Sequence, residues 1–188
     1  MKYQTVYFEK PGPENTNDTL KLVQEWANML NIQHIVIATT TGKTGIQALK
    51  LLKSHHVIIV THSTGFAQEN EQELSPEFKD QIESMGSTIL TCPHAFGGIG
   101  RAVRLKYKTY ELDDIVASTL RLLGQGSKVA VEIALMAADS GLIQTDKDII
   151  AVGGTNHGAD TALVIKPSNV GRFFDLRIRG FLCKPWDF

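Results

Sequence analysis

Four runs of the chain are almost purely apolar and stop abruptly in small polar residues: Ile35–Ala38, Val57–Val60, Ile89–Leu90 and Ile149–Val152. A strand with one wet face would alternate. Unbroken runs predict strands covered on both sides, as in a parallel sheet between helix layers. Thr5–Phe8 predicts an earlier strand, and Ala162–Ile165, close behind Val152, predicts one that returns antiparallel. In the tail, Phe174, Leu176, Ile178 and Gly180 share one parity while Asp175, Arg177 and Arg179 take the other. That period of two predicts an antiparallel or edge strand over Phe173–Leu182.

Between these runs the spacing turns helical. Leu20, Val23, Ala27 and Leu30 form one stripe, with Asn17 or Thr16 placed to cap its start. A second helix is predicted from about Lys43 to Lys53, with Ile46, Leu49 and Leu52 inward. A third opens on the cap-and-proline pair Ser75-Pro76 and ends near Gly86. Two more, Asp113–Leu123 and Lys128–Ser140, are each closed by a glycine, Gly124 and Gly141. The stretch Cys92–Glu111 has no clear period and is expected as a long loop. Repeated β-α-β units give a three-layer α/β/α fold with a mainly parallel sheet, one domain spanning residues 1–188.

Composition narrows the function without naming it. A formal net charge of -1 gives no electrostatic case for nucleic acid or anionic lipid. No segment is apolar enough to span a bilayer, and the N-terminus lacks a signal-peptide layout, so the cytoplasm is the expected compartment. Cys92 and Cys183 stand far apart in no paired motif, which predicts neither a disulfide framework nor a zinc site. Phe181, Trp186 and Phe188 hint at a self-association surface, and so at a homo-oligomer.

In a parallel sheet, ligands bind beyond the carboxyl ends of the strands, where the strand order reverses. The residues that follow the apolar runs here are Thr39-Thr40-Thr41-Gly42-Lys43-Thr44, then Thr61-His62-Ser63-Thr64-Gly65-Phe66, then Cys92-Pro93-His94, then Gly153-Gly154-Thr155-Asn156-His157-Gly158. Hydroxyls, glycines and histidines dominate, with hardly a carboxylate. That bias favours an anion over a metal. The first amides of the helix after Thr41 have no intrahelical acceptor, and a phosphate placed there can take N–H groups and threonine hydroxyls. Gly42 would let the backbone approach it, so a bulky β-branched residue at 42 is expected to weaken phosphate binding and leave the fold largely intact. Thr41 as a simple helix cap is the competing explanation. Gly42-Lys43-Thr44 shares its end with the nucleotide-hydrolysing P-loop, but that pattern requires glycine where Ile37 stands, and no apolar run ends in a magnesium-holding aspartate.

Other groups stay open between structure and chemistry. Gly153, Gly154 and Gly158 suit either an anion-binding nest or a flexible hairpin, and Asp160 either a ligand contact or a turn. His62, His94 and His157 follow strands, so an acid–base set is conceivable, as is a thiol nucleophile at Cys92 beside His94. Glu132 is the lone charge between Val129 and Ala138. No catalytic residue is identified.

The strings IVIATTTGKT, VIIVTHSTGF, STILTC, VEIALMAADSG and DIIAVGGTNHGADTALVIKPS, in this order, resemble the C-terminal alpha/beta domain of pyruvate kinases. Together with YFEKPGPENTNDTL and the FF-D-x-x-I tail, they are closer still to a stand-alone prokaryotic family of pyruvate-kinase C-terminal-domain-like proteins. The resemblance implies a last strand running antiparallel, and Thr39–Thr44 beside Gly153–Asp160 at the switch point. It implies no kinase activity, because the catalytic barrel of those enzymes has no counterpart here.

The stand-alone family is similar to flavin mononucleotide (FMN) binders, which makes a phosphorylated small molecule, FMN above all, the expected ligand. Carried over, the phosphate falls on Thr39, Thr40, Thr41, Gly42 and Thr44; Thr61, His62, Gly65 and Phe66 line the crevice; Gly153, Gly154, Thr155, Gly158 and Asp160 lie opposite; Asn15 and Thr16 reach the rim. Lys43 departs from the family pattern. Two other functions are carried forward: a regulatory domain sensing a sugar phosphate, and a hydrolase or transferase using Cys92 and the histidines.

Overall fold

The structure, a computed structural model, describes residues 3–188. Seven strands form one sheet: β1 (Val6–Phe8), β2 (His34–Ala38), β3 (His56–Val60), β4 (Thr88–Leu90), β5 (Ile149–Gly153), β6 (Thr161–Lys166) and β7 (Arg177–Pro185), in the order β1-β7-β6-β5-β2-β3-β4. The helices are α1 (Thr16–Leu30), α2 (Lys43–Leu51), α3 (Pro76–Ser84), α4 (Gly98–Tyr107), α5 (Leu112–Arg121) and α6 (Gln125–Asp139).

The apolar runs lie where two-sided burial demands. Ile35, Val36 and Ile37 are buried, with Ile35 and Ile37 packed towards α1 and α2 and Val36 towards α6. Leu20, Val23, Ala27, Ile46, Leu49 and Ile82 close one face of the sheet. The other face is closed by α6, buried along nearly its whole length, with α5 behind it. Three layers result. Burial of this apolar surface is the main favourable term for the fold.

β2 pairs in parallel with β3 and β5, while β6 runs against both β5 and β7. The antiparallel pairing of the C-terminal strand is therefore with β6, and beyond it β7 pairs in parallel with β1. β7 is thus not an edge.

Several local expectations need correction. Residues Val170–Asp175 form a 3-10 turn, so the period-two strand begins at Arg177, and Phe174 is 87% exposed rather than inward. Cys92–Glu111 is not all loop, since it contains α4. None of that helix is fully buried. At the start of α1 neither Asn17 nor Thr16 caps: the N-cap is Asn15, whose side chain makes no capping bond. The third helix is capped as expected, with Phe78 N–H donating to Ser75 Oγ (3.2 Å). Phe181 is half-buried against the α6 side, leaving Trp186 and Phe188 as the exposed tail rings. Among the described residues no helix is long and apolar enough to cross a membrane.

Candidate functional site

β2 and β5 are neighbours, and the chain leaves them towards opposite edges, so the strand order reverses between them. Beyond their carboxyl ends lies a cleft of about 1450 Å³. A site of that size admits a mononucleotide whole, since typical small-molecule pockets run to about 300–1,000 Å³.

Eleven of the residues expected from the sequence line this cleft: Thr16, Thr39, Thr40, Thr41, Thr44, Thr61, His62, Gly65, Phe66, Gly154 and Gly158. At the start of α2, Gly42 N–H donates to Thr39 Oγ1 (3.1 Å). Lys43, Thr44 and Gly45 N–H, the next three, have no acceptor among the described residues. The helix dipole adds positive potential at the same place.

Gly42 itself does something other than expected. Its φ is +105°, and a Cβ there would lie 2.5 Å from Phe78 Cβ and 2.8 Å from Leu74 Cδ1. The missing side chain leaves room for the protein's own α3 and the loop before it, rather than for a ligand.

The facing turn is held from within. Asp160 is fully buried, with Oδ2 accepting from Thr155 N–H (3.0 Å) and Oδ1 from Thr161 Oγ1 (2.7 Å). Of its two open roles, the turn is the one the geometry gives. Gly153 lies inside β5, where a Cβ would strike Gly126 O and come within 3.0 Å of Val129 Cβ; it lets α6 lie close on the sheet. Thr16 Oγ1 accepts from Ala159 N–H (3.0 Å), tying α1 to the turn. Asn15 Nδ2 donates to Lys10 O (2.8 Å), outside the cleft lining. Thr155 Oγ1 is buried with no hydrogen-bond partner among the described residues.

His62 and Phe66 line the cleft as expected, but the cations that line it with them, Arg101, Arg104, Arg121 and Lys128, were missed in the sequence. Phe66 stacks on His94 (centroids 4.8 Å apart, planes 15° apart), His62 lies 4.2 Å from Phe66, and Arg101 sits over the same phenyl ring at 4.1 Å. Arg101 Nη2 also donates to Phe66 O (3.3 Å). His62 Nδ1 is 2.6 Å from Glu73 Oε2. Five cations line the cleft, Lys43, Arg101, Arg104, Arg121 and Lys128, against two carboxylates, Asp114 and Glu132. The excess of positive charge suits an anion.

Glu132 and Lys128 are 3% and 7% exposed on α6, their Oε2 and Nζ 2.5 Å apart. Glu132 Oε1 accepts from Phe96 N–H (3.1 Å), and His94 Nδ1 stands 3.6 Å from Oε2. Burial alone would raise the Glu132 carboxyl, but His94 and Lys128 beside it hold it down at about 2. Burial pushes the Lys128 ammonium below its usual range, against the pull of Glu132. The signal in the sequence was a carboxylate four residues after a lysine in an otherwise apolar helix.

The remaining groups do not converge. No hydrogen bond joins Cys92 to His94 among the described residues. Cys92 packs towards the α6 cluster, and burial pushes its thiol up. His62 and His94 approach to 5.4 Å between centroids, whereas His157 is exposed at the rim. Among the described residues, no three His, Cys, Asp or Glu side chains are grouped to hold a metal ion.

Residues 17–165 match the family described as "Pyruvate kinase, alpha/beta domain". Among solved structures, the chain is similar to a Cryptosporidium parvum pyruvate kinase in complex with ADP, at 18% identity over 79% of this chain and 22% of that one, with a TM-score of 0.40. It is also similar to a second structure of a pyruvate kinase from the same organism, at 18% identity over 82% of this chain and 23% of that one, with a TM-score of 0.38. The chain spans less than a quarter of the length of these kinases.

Proposed function

Because the chain belongs to the pyruvate kinase alpha/beta domain family, we propose that it is a cytoplasmic binder of a phosphorylated small molecule carrying a flat ring, FMN foremost, with no kinase activity of its own. One observation carries this reading. The free amides of α2, a cationic wall and a cluster of aromatic rings all face one cleft at the strand switch point.

The residues fit such a ligand. Lys43, Thr44 and Gly45 N–H and the Thr40 and Thr44 hydroxyls offer donors to a phosphate. Lys128 supplies a buried positive charge, and His62, Phe66 and His94 offer ring surface. A flavin, when bound, brings one- and two-electron chemistry of its own. The chain's part is to hold the phosphate, orient the ring and screen it from water. The aromatic cluster favours a flavin over a sugar phosphate, which has no flat ring to stack.

FMN titrated into the apoprotein is expected to quench its fluorescence saturably and raise the melting temperature. Phe66→Ala removes the ring on which His62, His94 and Arg101 converge, and is expected to weaken FMN about tenfold, the scale of one stacking contact. Thr44→Val, close to isosteric, should weaken FMN and inorganic phosphate alike. Absent quenching and thermal shift with FMN, beside a shift with fructose phosphates, would replace the flavin by a sugar phosphate. Self-association through the exposed Trp186 and Phe188 rings is also expected, and the mass in solution of the parent against Trp186→Ser checks it.

A further inference from the structure

Among the described residues two buried side-chain polar atoms have no hydrogen-bond partner, Thr155 Oγ1 and Ser168 Oγ. Folded proteins pair nearly all such atoms, so each orphan requires a physical reason. Thr155 lies in the turn at the cleft. Ser168 lies elsewhere, in the loop leaving β6. Since β6 runs against β5, its end sits at the start of the parallel strands, the pole of the sheet opposite the cleft.

A second cavity opens there, of about 500 Å³, into which the Ser168 loop faces. Its charged lining is Lys166, Arg172, Arg177 and Arg179 against Asp146 and Asp175. Two of the cations are committed. Arg177 Nη1 donates to Phe174 O (2.5 Å) and Leu176 O (2.8 Å), and Arg179 Nε is 3.3 Å from Asp148 Oδ1. The side chains of Lys166 and Arg172 have no hydrogen-bond or ion-pair partner among the described residues.

We propose that this cavity is a second binding site, for a small phosphate-bearing molecule, separate from the cleft and independent of what the cleft holds. Lys166 and Arg172 meet the charge of the phosphate, and the Ser168 side chain, whose Oγ is buried without a partner, rotates to donate to one of its oxygens. A hydroxyl and two separate cations suit a dianion with several acceptor oxygens better than a halide, which has one centre and no fixed acceptor directions. The 500 Å³ leave room for a group about the size of a sugar attached to that phosphate.

Inorganic phosphate is the probe, titrated into the full chain at constant ionic strength, with backbone amide NMR shifts as readout. The amides of Ser168 and Arg172 are expected to shift saturably, separately from those of Thr44 and Thr155. Lys166→Met with Arg172→Met should weaken the first set at least tenfold and leave the second unchanged. Lys166 is half-buried and Arg172 exposed, so the variant retains its packing. Ser168→Ala alone should weaken the first set several-fold. The proposal is overturned by any of three results: no saturable shift at Ser168 and Arg172, the same shift with matched chloride, or undiminished binding in the double variant. Thr44→Val separates the sites, because loss of the Thr44 and Thr155 shifts with retention of those at Ser168 and Arg172 is the result expected of two independent sites, whereas failure of the parent protein to bind FMN sinks only the cleft reading.

Discussion

Glu132→Ala is expected to cost about 3–5 kcal/mol of unfolding free energy, the range for removing one partner of a buried ion pair. The loss is large because three groups are left stranded together. Lys128 loses the carboxylate that pairs its ammonium at 7% exposure, Phe96 N–H loses its acceptor, and His94 loses the carboxylate beside it. Domains have only about 5–15 kcal/mol to lose, so the variant should sit near its unfolding threshold at room temperature. Urea melts measure it. The double replacement Lys128→Met with Glu132→Leu should recover much of the deficit, since no charge is then left unpaired. A single variant within about 1 kcal/mol of the parent would mean that the pair is not buried as described.

The same pair sets an acid limit. In the unfolded chain the Glu132 carboxyl takes up its proton near 4.5, whereas in the fold it holds out to about 2. Its contribution is complete above 4.5, and as pH falls from there towards 2 the unfolded state binds the proton first and stability drops, by about 3 kcal/mol in all. Glu132→Ala should flatten the parent's stability profile across that window. An unchanged slope would assign the acid sensitivity to other carboxylates.

Gly42→Val is the second large effect, and it reverses what the strand-end motif implied. Read along the chain, Gly42 is a gap left for a phosphate, and a larger residue there should spare the fold. In three dimensions the valine must take φ near +105° and intrude on Phe78 and Leu74. Left-handed strain adds about 1–3 kcal/mol and overpacking a further 1–3 kcal/mol, for a total of about 2–6 kcal/mol. For a chain of this size that lowers the melting temperature by about 5–20 °C. Calorimetry checks it, and a melt within about 2 °C of the parent would show that α3 yields freely. Lost phosphate affinity in this variant would report damage to the fold, which makes Thr44→Val the cleaner probe of the site.

What could be read from the chain follows from what is local. Val57–Val60 announces a two-sided strand because both faces are buried, and Ser75-Pro76 announces a helix start because the cap is made within four residues. That the strand-end loops gather at one cleft was legible for the same reason: parallel strands deliver their following residues to one pole. α4 was not, because its short apolar spacing, Ile99, Ala102 and Val103, is interleaved with glycine and basic residues and none of it is fully buried. The short 3-10 turn at Val170–Asp175 hid Phe174 within an apparent alternation. Arg101 and Lys128 escaped because they reach the cleft from α4 and α6, far in sequence from the loops they meet. The orphaned hydroxyls of Thr155 and Ser168 could be seen only once their surroundings were known.

The reversal of β6 has a geometric consequence. Six extended residues span about 20 Å, and this one segment runs from the Asp160 turn at one end of the molecule to Lys166 at the other. It is paired on both sides, with β5 and β7, and the β7 side carries two register shifts. That span is longer than one small molecule, so no single guest touches both the Asp160 turn and Lys166, and the two ends of the strand belong to separate surroundings.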